Sequence, residues 1–569
     1  MKKNAKNRMT GAQIAIETLI EQGVTELFGY PGGTVLDLYD ALYRSRGRIR
    51  HILTAHEQGA AHAADGYARA TGKVGVVLAT SGPGATNLVT GLATAMLDSV
   101  PVVSITGNVP TYLIGKDAFQ EINITGITLP ITKHNYFVQD VRELADTIRE
   151  AFQIAKSGRP GPVLIDIPKD IQIATCPFTP QPVVSAFPQP KLSDAQIDQV
   201  VDLLSKAQRP YLYIGGGAAR CELGAQLMAL SEKLDGYIGC SLMGLSEIPH
   251  SFDRFLGMEG MHGAYASTMA NLQADLILGV GVRFSDRATG DPAKFCKDAV
   301  IIQLDADQSE INKNVKVTLG LVGDLRDAVD RILSRMAQQS HPAWNKTVEA
   351  LKEEQRRLAQ QQPSVPAGMD PRDLFAVINR LKDDETLIAT DVGQHQMWTA
   401  QNIQLARPRS FLSSGGLGTM GFGLGAAIGG AVGTGKRVIL LTGDGSFGMN
   451  LNELATAVSC QLPIVIILFN NSALGMVRQL QTFFFGRRYA GTNLQRETDF
   501  VKLAQAFGAD GARVSDIAAF ESALQTALKQ KSPYLIEVQI DRDTCVLPML
   551  PKSGVMEDMI TELDGEDTK

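Results

Sequence analysis

Short apolar runs and helical patterns alternate along the amino-terminal part of the chain. In order, they predict a helix over Gly11 to Glu21, a strand over Glu26 to Tyr30, a helix through Leu42, a strand over Ile49 to Ala55, an alanine-rich helix through Ala70 and a strand over Val74 to Ala79. Glycine-rich turns follow the first and third of these strands. Such alternation predicts a parallel sheet with helices on both of its faces.

The stretch from Arg437 to Asn471 combines two strands with candidate chemistry. Val438 to Leu441 and Ile464 to Phe469 are apolar runs typical of buried strands. The segment between them predicts a helix that opens at the sequence GDGS and ends before Pro463. Its apolar residues at near-helical spacing are Leu451, Leu454, Ala455 and Val458.

Each of these two strands is followed by an oxygen ligand, Asp444 after the first and Asn471 after the second. Ligands of open α/β sheets bind at the carboxyl ends of the strands. A carboxylate and an amide oxygen at that edge suit a hard cation such as Mg²⁺ that also grips a diphosphate. The alternative is an ordinary Asp-Gly turn with an unrelated Asn-Asn turn.

A weak internal repeat suggests that two parts of the chain share one topology. Leu92-Ala93-Thr94-Ala95 recurs as Leu454-Ala455-Thr456-Ala457, each followed by a proline and a β-branched run. A chance match of simple sequence is the alternative. The repeat otherwise predicts two domains of the same topology, one near each end of the chain.

Two proline-rich segments, 176–192 and 358–371, divide the chain. They predict a first unit over 1–175, a middle unit over 193–357 and a third unit over 372–546, with a tail over 547–569. In the middle unit, strands are predicted over 210–214, 276–282 and 300–305. The first runs into Gly215-Gly216-Gly217 and the last ends at Asp305, a dinucleotide-binding pattern that is weak on its own.

Composition narrows the class of protein. The 569 residues are 44% hydrophobic and 20% charged, as expected of globular domains with sizeable cores. A net charge of −6 gives no electrostatic argument for nucleic acid or an anionic membrane. The six cysteines are scattered, which predicts no zinc site or disulfide framework and favours a cytoplasmic protein. No secretory signal and no membrane span are expected.

Taken together, the motifs resemble those of the acetohydroxyacid (acetolactate) synthase catalytic subunits, a FAD-binding family of thiamine-diphosphate (ThDP) enzymes. The likeness runs from about Thr10 to Ile560. Its distinctive stretches are GYPGGTVLDLYDAL, HEQGAAHAADGYARATG, TSGPGATN, GKDAFQE, ITKHNYFV, SGRPGPVLIDIPKDIQ, GMHG, GVRF, TDVGQHQMW, SSGGLGTMGFGL, GDGSF and NNSALGMV. The resemblance implies an α/β fold of three doubly wound parallel-sheet domains that bind the pyrimidine, FAD and the diphosphate, respectively.

The resemblance makes Glu57 the activator of ThDP. A buried glutamate of this family hydrogen-bonds N1′ of the aminopyrimidine, so that the cofactor removes its own C2 proton. The alternative is an ordinary surface glutamate, since glutamate is usually exposed. Gln120, Lys169 and Arg287 complete the implied catalytic set.

The resemblance also implies the binding residues. For ThDP they are Tyr30, Pro31, Gly32, Gly33, Pro83, Asn87, Val392, Gly393, Gln394, His395, Gly418, Met420, Gly443, Gly445, Ser446 and Met476. For Mg²⁺ they are Asp444, Asn471 and the backbone carbonyl of Ala473. For FAD they are Arg159, Gly215, Gly216, Met261, His262, Gly281, Arg283, Asp305 and Asp324. For the 2-oxo acid substrates they are Gly33, Phe119, Gln120, Lys169, Arg287, Val477 and Leu480.

Several of these assignments carry a specific role or an alternative. Met420 is expected to support the bent form of ThDP, and a core methionine is the alternative. Arg287 is expected to bind the carboxylate of the second substrate, for which arginine is suited because it binds bidentately. A surface ion pair is the alternative there and for Lys169.

The chain departs from the usual family pattern at Thr34, Ser285, Leu480 and Lys552-Ser553-Gly554. These departures concern substrate preference and inhibitor binding, and leave the activating glutamate and the metal motif intact. Leucine in place of the common tryptophan at 480 predicts weak preference for 2-oxobutyrate over pyruvate, and the alternative is that Leu480 is a core residue remote from the site. With Thr34 expected to crowd the cleft, leucine at 480 also predicts weak binding of aromatic inhibitors.

The expected reaction is decarboxylation of pyruvate and ligation to a second 2-oxo acid, in branched-chain amino-acid synthesis. Because Glu57 and Asp444 lie on different units, the resemblance implies sites between subunits of a homodimer or homotetramer, with a possible small regulatory subunit. The alternatives are a FAD-dependent pyruvate oxidase, a FAD-free catabolic acetolactate synthase and a non-enzymatic ThDP-binding protein.

Overall fold

The computed structural model describes residues 8–361, 368–551 and 558–561. Three six-stranded sheets follow one another along the chain, and all of their strands are parallel. The predicted α/β class with three doubly wound parallel sheets is confirmed. We call each sheet with its helices the first, middle and third unit.

The first unit holds strands β2 to β7 and a small antiparallel pair, β1 with β8. Its strands are β1 (Arg8–Thr10), β2 (Glu26–Gly29), β3 (Arg50–Leu53), β4 (Gly75–Ala79), β5 (Val102–Asn108), β6 (His134–Phe137), β7 (Val163–Pro168) and β8 (Thr175–Pro177). Its helices are α1 (Gly11–Glu21), α2 (Leu36–Arg44), α3 (Glu57–Thr71), α4 (Pro83–Asn87), α5 (Val89–Asp98), α6 (Ile124–Thr128), α7 (Leu144–Lys156) and α8 (Lys169–Ile173).

The middle unit has strands β9 (Pro210–Ile214), β10 (Tyr237–Cys240), β11 (Phe255–Met258), β12 (Leu276–Val280), β13 (Val300–Asp305) and β14 (Leu319–Val322). Its helices are α9 (Asp194–Lys206), α10 (Gly216–Arg220), α11 (Gly224–Leu234), α12 (Tyr265–Gln273), α13 (Asp286–Thr289), α14 (Leu325–Arg335) and α15 (Pro342–Gln361). The sheet order, β11-β10-β9-β12-β13-β14, is the 3-2-1-4-5-6 order of dinucleotide-binding sheets.

The third unit has strands β15 (Leu387–Thr390), β16 (Phe411–Leu412), β17 (Val438–Gly443), β18 (Ile464–Asn470), β19 (Asp510–Val514) and β20 (Tyr534–Gln539). Its helices are α16 (Pro371–Leu381), α17 (Gln394–Asn402), α18 (Phe422–Thr434), α19 (Asp444–Asn450), α20 (Leu454–Ser459), α21 (Gly475–Phe484), α22 (Phe500–Ala506) and α23 (Ile517–Ala527).

The first and third sheets have the same strand order. The first reads β3-β2-β4-β5-β7-β6 and the third β16-β15-β17-β18-β20-β19, which is the same permutation of six consecutive strands. The shared topology suggested by the weak repeat is therefore present. In both units the helix that follows the second strand is long, α3 in one and α18 in the other.

Apolar layers on both faces of each sheet hold the units together. Neighbouring strand residues point to opposite faces, so Leu27 packs in one layer and Phe28 in the next. The layer that contains Phe28 continues into the third unit through Leu440 and Ile466. On its opposite face the third sheet shares a layer with the middle unit, so the third unit packs against both of the others.

Helices α3 and α18 pack directly on each other through small residues. A Cβ atom on Gly429 would overlap the backbone oxygen of Ala63, and one on Gly66 would overlap Ala426. Glycine at these two positions is thus required by the close approach of the two backbones.

The structure differs from the sequence-based expectation after Asp444. One continuous helix was expected, but α19 ends at Asn450, a 3₁₀ turn spans Leu451–Glu453 and α20 then begins. The strand expected over 276–282 also stops at Val280, because Gly281 adopts a positive φ of 56°.

Candidate active site

The metal-binding candidates lie where adjacent strands end. β17 and β18 are parallel neighbours, and Gly443 pairs with Phe469 at their carboxyl ends. Asp444 then begins α19 with only 7% of its surface exposed, and burial raises its pKa to about 6. Asn471 turns its Oδ1 toward the backbone N–H of Ala473 at 3.0 Å. The fold thus brings all three proposed ligands, Asp444, Asn471 and Ala473, to one edge of the sheet.

A cavity opens at this edge and collects most residues of the predicted diphosphate half. Those expected from the sequence are Val392, Gly393, Gln394, His395, Met420, Gly443, Asp444, Gly445, Ser446, Asn471, Ala473, Met476 and Val477. Gly418 does not line the cavity and lies exposed nearby in the chain, with φ 68°. The switch point between β15 and β17 is where a doubly wound sheet of this order binds its ligand.

His395 supplies a polar atom that needs a partner in this cavity. Burial lowers its pKa to about 3, so the ring is neutral at physiological pH. Its Nε2 is buried and makes no hydrogen bond within the described part of the chain. Gln394 is held in place because its Nε2 donates to Gln479 Oε1 at 3.1 Å and to the Thr544 carbonyl at 2.7 Å. An anionic ligand would satisfy the free ring nitrogen.

Glu57 occupies the first position of α3 and is 8% exposed. Its Oε2 accepts a hydrogen bond of 2.9 Å from Asn87 Nδ2, so two predicted residues of the pyrimidine half are in contact. A Cβ atom on Gly84 would lie 3.0 Å from Glu57 Oε1, which shows how closely the backbone after β4 approaches. Pro83 and Tyr30, from the same half, are exposed.

Within one chain, the pyrimidine half at Glu57 does not share a cavity with the diphosphate half at Asp444. Among the described residues that line the cavity at Asp444, none belongs to the first unit, and Glu57 and Asn87 are absent from its wall. Pro31 and Gly33, on the glycine-rich turn of the first unit, are also exposed, whereas Gly32 is half-buried.

The substrate candidates of the first unit lie on the segments that surround its glycine-rich turns. Lys169 begins α8, and its Nζ donates to the carbonyl of Gly33 at 3.3 Å. Gln120 has a positive φ of 60°, and its Cβ would lie 2.9 Å from a Cβ on Gly82. Phe119 beside it is 87% exposed.

Thr34 is oriented toward the sheet. Its hydroxyl lies 3.0 Å from Thr80 Oγ1 and accepts the N–H of Ser81 at 3.0 Å. The side chain is thus anchored at the end of β4.

Arg287, by contrast, belongs to the middle unit and sits on α13 with 68% of its side chain exposed. Its Nη1 lies 3.4 Å from the sulfur of Met261, and the backbone N–H of Met261 donates to the Arg287 carbonyl at 2.7 Å. These two contacts link the Met261 segment to α13. The next residue, His262, is bonded through its carbonyl to Gln401 of α17 at 3.0 Å, which links these loops to the diphosphate half.

Gly215 and Gly281 lie at the topological switch point of the middle sheet. Gly217 N–H donates to the Gly281 carbonyl at 2.9 Å, and a Cβ on Gly215 would overlap that oxygen. Asp305 ends β13 on the same edge, and burial raises its pKa to about 6.

The other FAD candidates have structural partners. Arg159 forms a 2.6 Å ion pair with Glu310, Asp324 caps the start of α14, and the carbonyl of Arg283 accepts from Asn314 at 2.9 Å. Gly216, also predicted for FAD, begins α10.

Comparison with known proteins shows which family the chain belongs to. Three family models match the chain: the thiamine pyrophosphate enzyme N-terminal TPP binding domain over residues 9–127, the central domain over 197–332 and the C-terminal TPP binding domain over 391–538. Acetolactate synthase isozyme 2 large subunit of Escherichia coli (strain K12) is 43% identical over 557 residues, or 98% of this chain and 100% of that protein.

Two further relatives agree. Acetolactate synthase of Arthrospira platensis is 44% identical over 576 residues, covering 98% of this chain and 99% of the relative. Probable acetolactate synthase large subunit of Methanocaldococcus jannaschii is 42% identical over 572 residues, covering 98% and 96%. The chain belongs to the acetolactate synthase family of thiamine pyrophosphate enzymes. The resemblance found in the sequence motifs is confirmed.

Within this family's diphosphate half, some cavity residues were missed. They are Trp398, Phe469, Leu474, Gly475 and Ile540. Trp398 follows Gln394 by one helical turn on α17, so helix periodicity could have identified it. Ile540 could not be found this way, because it reaches the cavity only through the pairing of β20 with β18.

Two further observations concern metal binding and membrane insertion. Among the described residues, no three His, Cys, Asp or Glu side chains are grouped as metal ligands, so the metal candidate combines one carboxylate with amide and carbonyl oxygens. None of the described helices is long and apolar enough to cross a membrane. Lys552-Ser553-Gly554 and most of the tail lie outside the described residues.

Proposed function

We propose that this chain is the catalytic subunit of a biosynthetic acetolactate synthase, with its units at 1–175, 193–357 and 372–546. It decarboxylates pyruvate and joins the remaining two-carbon unit to pyruvate or 2-oxobutyrate. The products are 2-acetolactate or 2-aceto-2-hydroxybutyrate, precursors of valine, leucine and isoleucine. The observation that carries this proposal is the full-length likeness to acetolactate synthase large subunits.

The residues of the two half-sites fit thiamine diphosphate. When bound, the cofactor supplies a nucleophilic carbon at C2 of its thiazolium ring and takes up the electron pair that stays behind when CO₂ leaves. Glu57, buried and steadied by Asn87, holds a proton at N1′ of the pyrimidine. His395 Nε2 and the backbone at Gly445 and Ser446 offer donors to the diphosphate.

Mg²⁺ fits the edge formed by Asp444, Asn471 and the carbonyl of Ala473. Oxygen donors of this kind are what Mg²⁺ requires, together with oxygens from the diphosphate. The ion would also neutralise the buried Asp444 carboxylate, whose ionised form burial disfavours. This fit supports Mg²⁺ as the bridge between protein and cofactor.

FAD is proposed for the middle unit. The 3-2-1-4-5-6 strand order and the glycine contact at its switch point are those of a dinucleotide-binding sheet. Gly215, Gly281 and Asp305 would lie along the ligand, with Met261 and His262 at the end nearest the third unit. In this family role FAD is bound without redox work.

Two cations are proposed to bind substrate carboxylates. Arg287 is exposed and offers a bidentate donor pair to the second 2-oxo acid. Lys169 would face the same cleft from the first unit, where its Nζ contacts the carbonyl of Gly33. Val477 and Leu480 on α21 form the apolar side of that cleft, with Val477 exposed in the single chain.

A second copy of the chain would complete each site. The separate positions of Glu57 and Asp444 within one chain support a homodimer, or a homotetramer built from it. Exposed apolar residues on both halves support the same arrangement, among them Tyr30, Phe119, Met449 and Val477. The relatives' designation as large subunits supports a small regulatory partner as well.

The test is an acetolactate assay on the purified protein with ThDP, Mg²⁺ and FAD each omitted in turn. Product should require ThDP and Mg²⁺, and a yellow protein should lose activity when stripped of FAD. Acetate formed with bleaching of the flavin would instead indicate a pyruvate oxidase. No acetolactate from pyruvate with all three cofactors present would reject the proposed function.

A further inference from the structure

A buried carboxylate of the third unit binds the backbone that leads into Glu57. Glu453 closes the 3₁₀ turn between α19 and α20 and is completely buried. Its Oε1 accepts the N–H of His56 at 2.9 Å, and its Oε2 accepts the N–H of Ala55 at 3.2 Å. The hydroxyl of Thr456 donates to the same Oε2 at 2.7 Å. One side chain thus spans the two residues that precede Glu57.

The close approach is built into both units. A Cβ atom on Gly59, in the first turn of α3, would overlap the carboxylate of Glu453. The break in the helix after Asp444 is what places Glu453 there, because the 3₁₀ turn carries it out of the line of α19. The contact is therefore built from both sides: α3 has a glycine where the carboxylate approaches, and the third unit has a 3₁₀ turn that presents the carboxylate.

Charge adds a second link between the two glutamates. Burial raises the pKa of Glu453, whereas its hydrogen bonds from Thr456, Ala55 and His56 lower it. The charged group that faces it is Glu57, and repulsion between the two carboxylates raises the Glu453 pKa further.

We propose that Glu453 is a positioning residue that fixes the place of Glu57. It acts through the start of α3, and it does not touch the substrate. The inference rests on the proposed function, in which Glu57 activates thiamine diphosphate. It makes the third unit of a chain a determinant of catalysis by the first unit of that same chain.

The test compares Glu453→Gln and Glu453→Asp in the holoenzyme. The first keeps the size but removes the charge and turns a donor toward the backbone N–H groups. The second keeps the charge but is one methylene too short to span both N–H groups. The readouts are H/D exchange at C2 of bound thiamine diphosphate and the affinity of the protein for that cofactor.

Glu453→Gln should slow C2 exchange by up to about a hundredfold, the loss expected when a catalytic group is displaced by about 1 Å. Glu453→Asp should also slow exchange, because its side chain cannot span both N–H groups. Affinity for thiamine diphosphate should be unchanged in both, because the diphosphate half is intact.

Glu247→Gln is the matched control, a buried carboxylate that accepts the backbone N–H of Gly224 at 2.6 Å in the middle unit. It should leave exchange and cofactor affinity as in the wild type. Wild-type exchange in Glu453→Gln would overturn the inference. If that variant does not fold, the same exchange rate is measured in Thr456→Val, which removes one hydrogen bond to Glu453. Slowed exchange in Thr456→Val supports the inference, and wild-type exchange overturns it. Glu57→Gln distinguishes a failure of this inference from a failure of the proposed function, because wild-type exchange in that variant would reject the role of Glu57 itself.

Discussion

Asp444 should destabilise the cofactor-free protein at neutral pH. Burial raises its pKa from 3.8 to about 6, and each pKa unit corresponds to about 1.4 kcal/mol. Keeping this carboxylate ionised therefore costs the folded apo protein about 3 kcal/mol above pH 6. Because the folded pKa lies above the unfolded one, the cost is absent below pH 4 and grows as pH rises toward 6.

Asp444→Asn removes the charge while keeping the shape. We expect it to raise the free energy of unfolding of the apo protein at pH 7 by up to about 3 kcal/mol, less what the side chain loses in hydrogen bonds from the backbone of Gly445 and Ser472. The gain should vanish at pH 4. The same variant should lose most of the stabilisation that Mg²⁺ with thiamine diphosphate gives the wild type.

The measurement is urea unfolding in EDTA and in Mg²⁺ with thiamine diphosphate, followed by tryptophan fluorescence. The chain has two tryptophans, and Trp398 lines the Asp444 cavity. A Trp344→Phe background leaves that residue as the reporter of the third unit. The reasoning is refuted if Asp444→Asn is less stable than the wild type in EDTA at pH 7 and is still stabilised fully by Mg²⁺ and cofactor.

Three further outcomes can be checked. Glu57→Gln should bind thiamine diphosphate but slow C2 exchange by at least about a hundredfold, measured by acid quench and NMR; exchange at the wild-type rate would contradict the assignment. Gly429→Val should destabilise the protein by about 3 kcal/mol or more, because its side chain meets the Ala63 backbone, and an unchanged melting temperature would disprove that contact. Leu480→Trp should shift product toward 2-aceto-2-hydroxybutyrate by about 5- to 160-fold when pyruvate and 2-oxobutyrate compete, as about 1–3 kcal/mol of methylene contact implies; a fixed product ratio in a folded, active variant would reject the role of residue 480.

The strands were predictable where burial on both faces leaves a fully apolar run. Val438 to Leu441 is such a run, and it forms the core of β17. The break after α19 was not predictable in this way, since the apolar spacing of Leu451, Leu454 and Val458 continues a helical pattern across it. Only the contact with α3 shows why the chain departs from that pattern.

Site residues, too, were predictable where local sequence determines their position and not where distant segments meet. Asp444 and Asn471 could be assigned together because each follows its own strand and the strands are neighbours. Glu453 could not, because its partners lie 397 and 398 positions away and only the packed units bring them within reach. Sequence patterns record what a segment does locally, whereas this contact depends on how two segments meet.

The packing of α3 on α18 has a consequence for the ancestry of the chain. These helices follow the corresponding strand of two units with the same strand order, β3 in the first and β16 in the third. Equivalent elements that pack on each other are what a two-fold symmetric homodimer presents at its interface. The chain thus carries, within one polypeptide, the arrangement expected when two copies of a single-unit gene fuse and then diverge into a half that activates and a half that anchors.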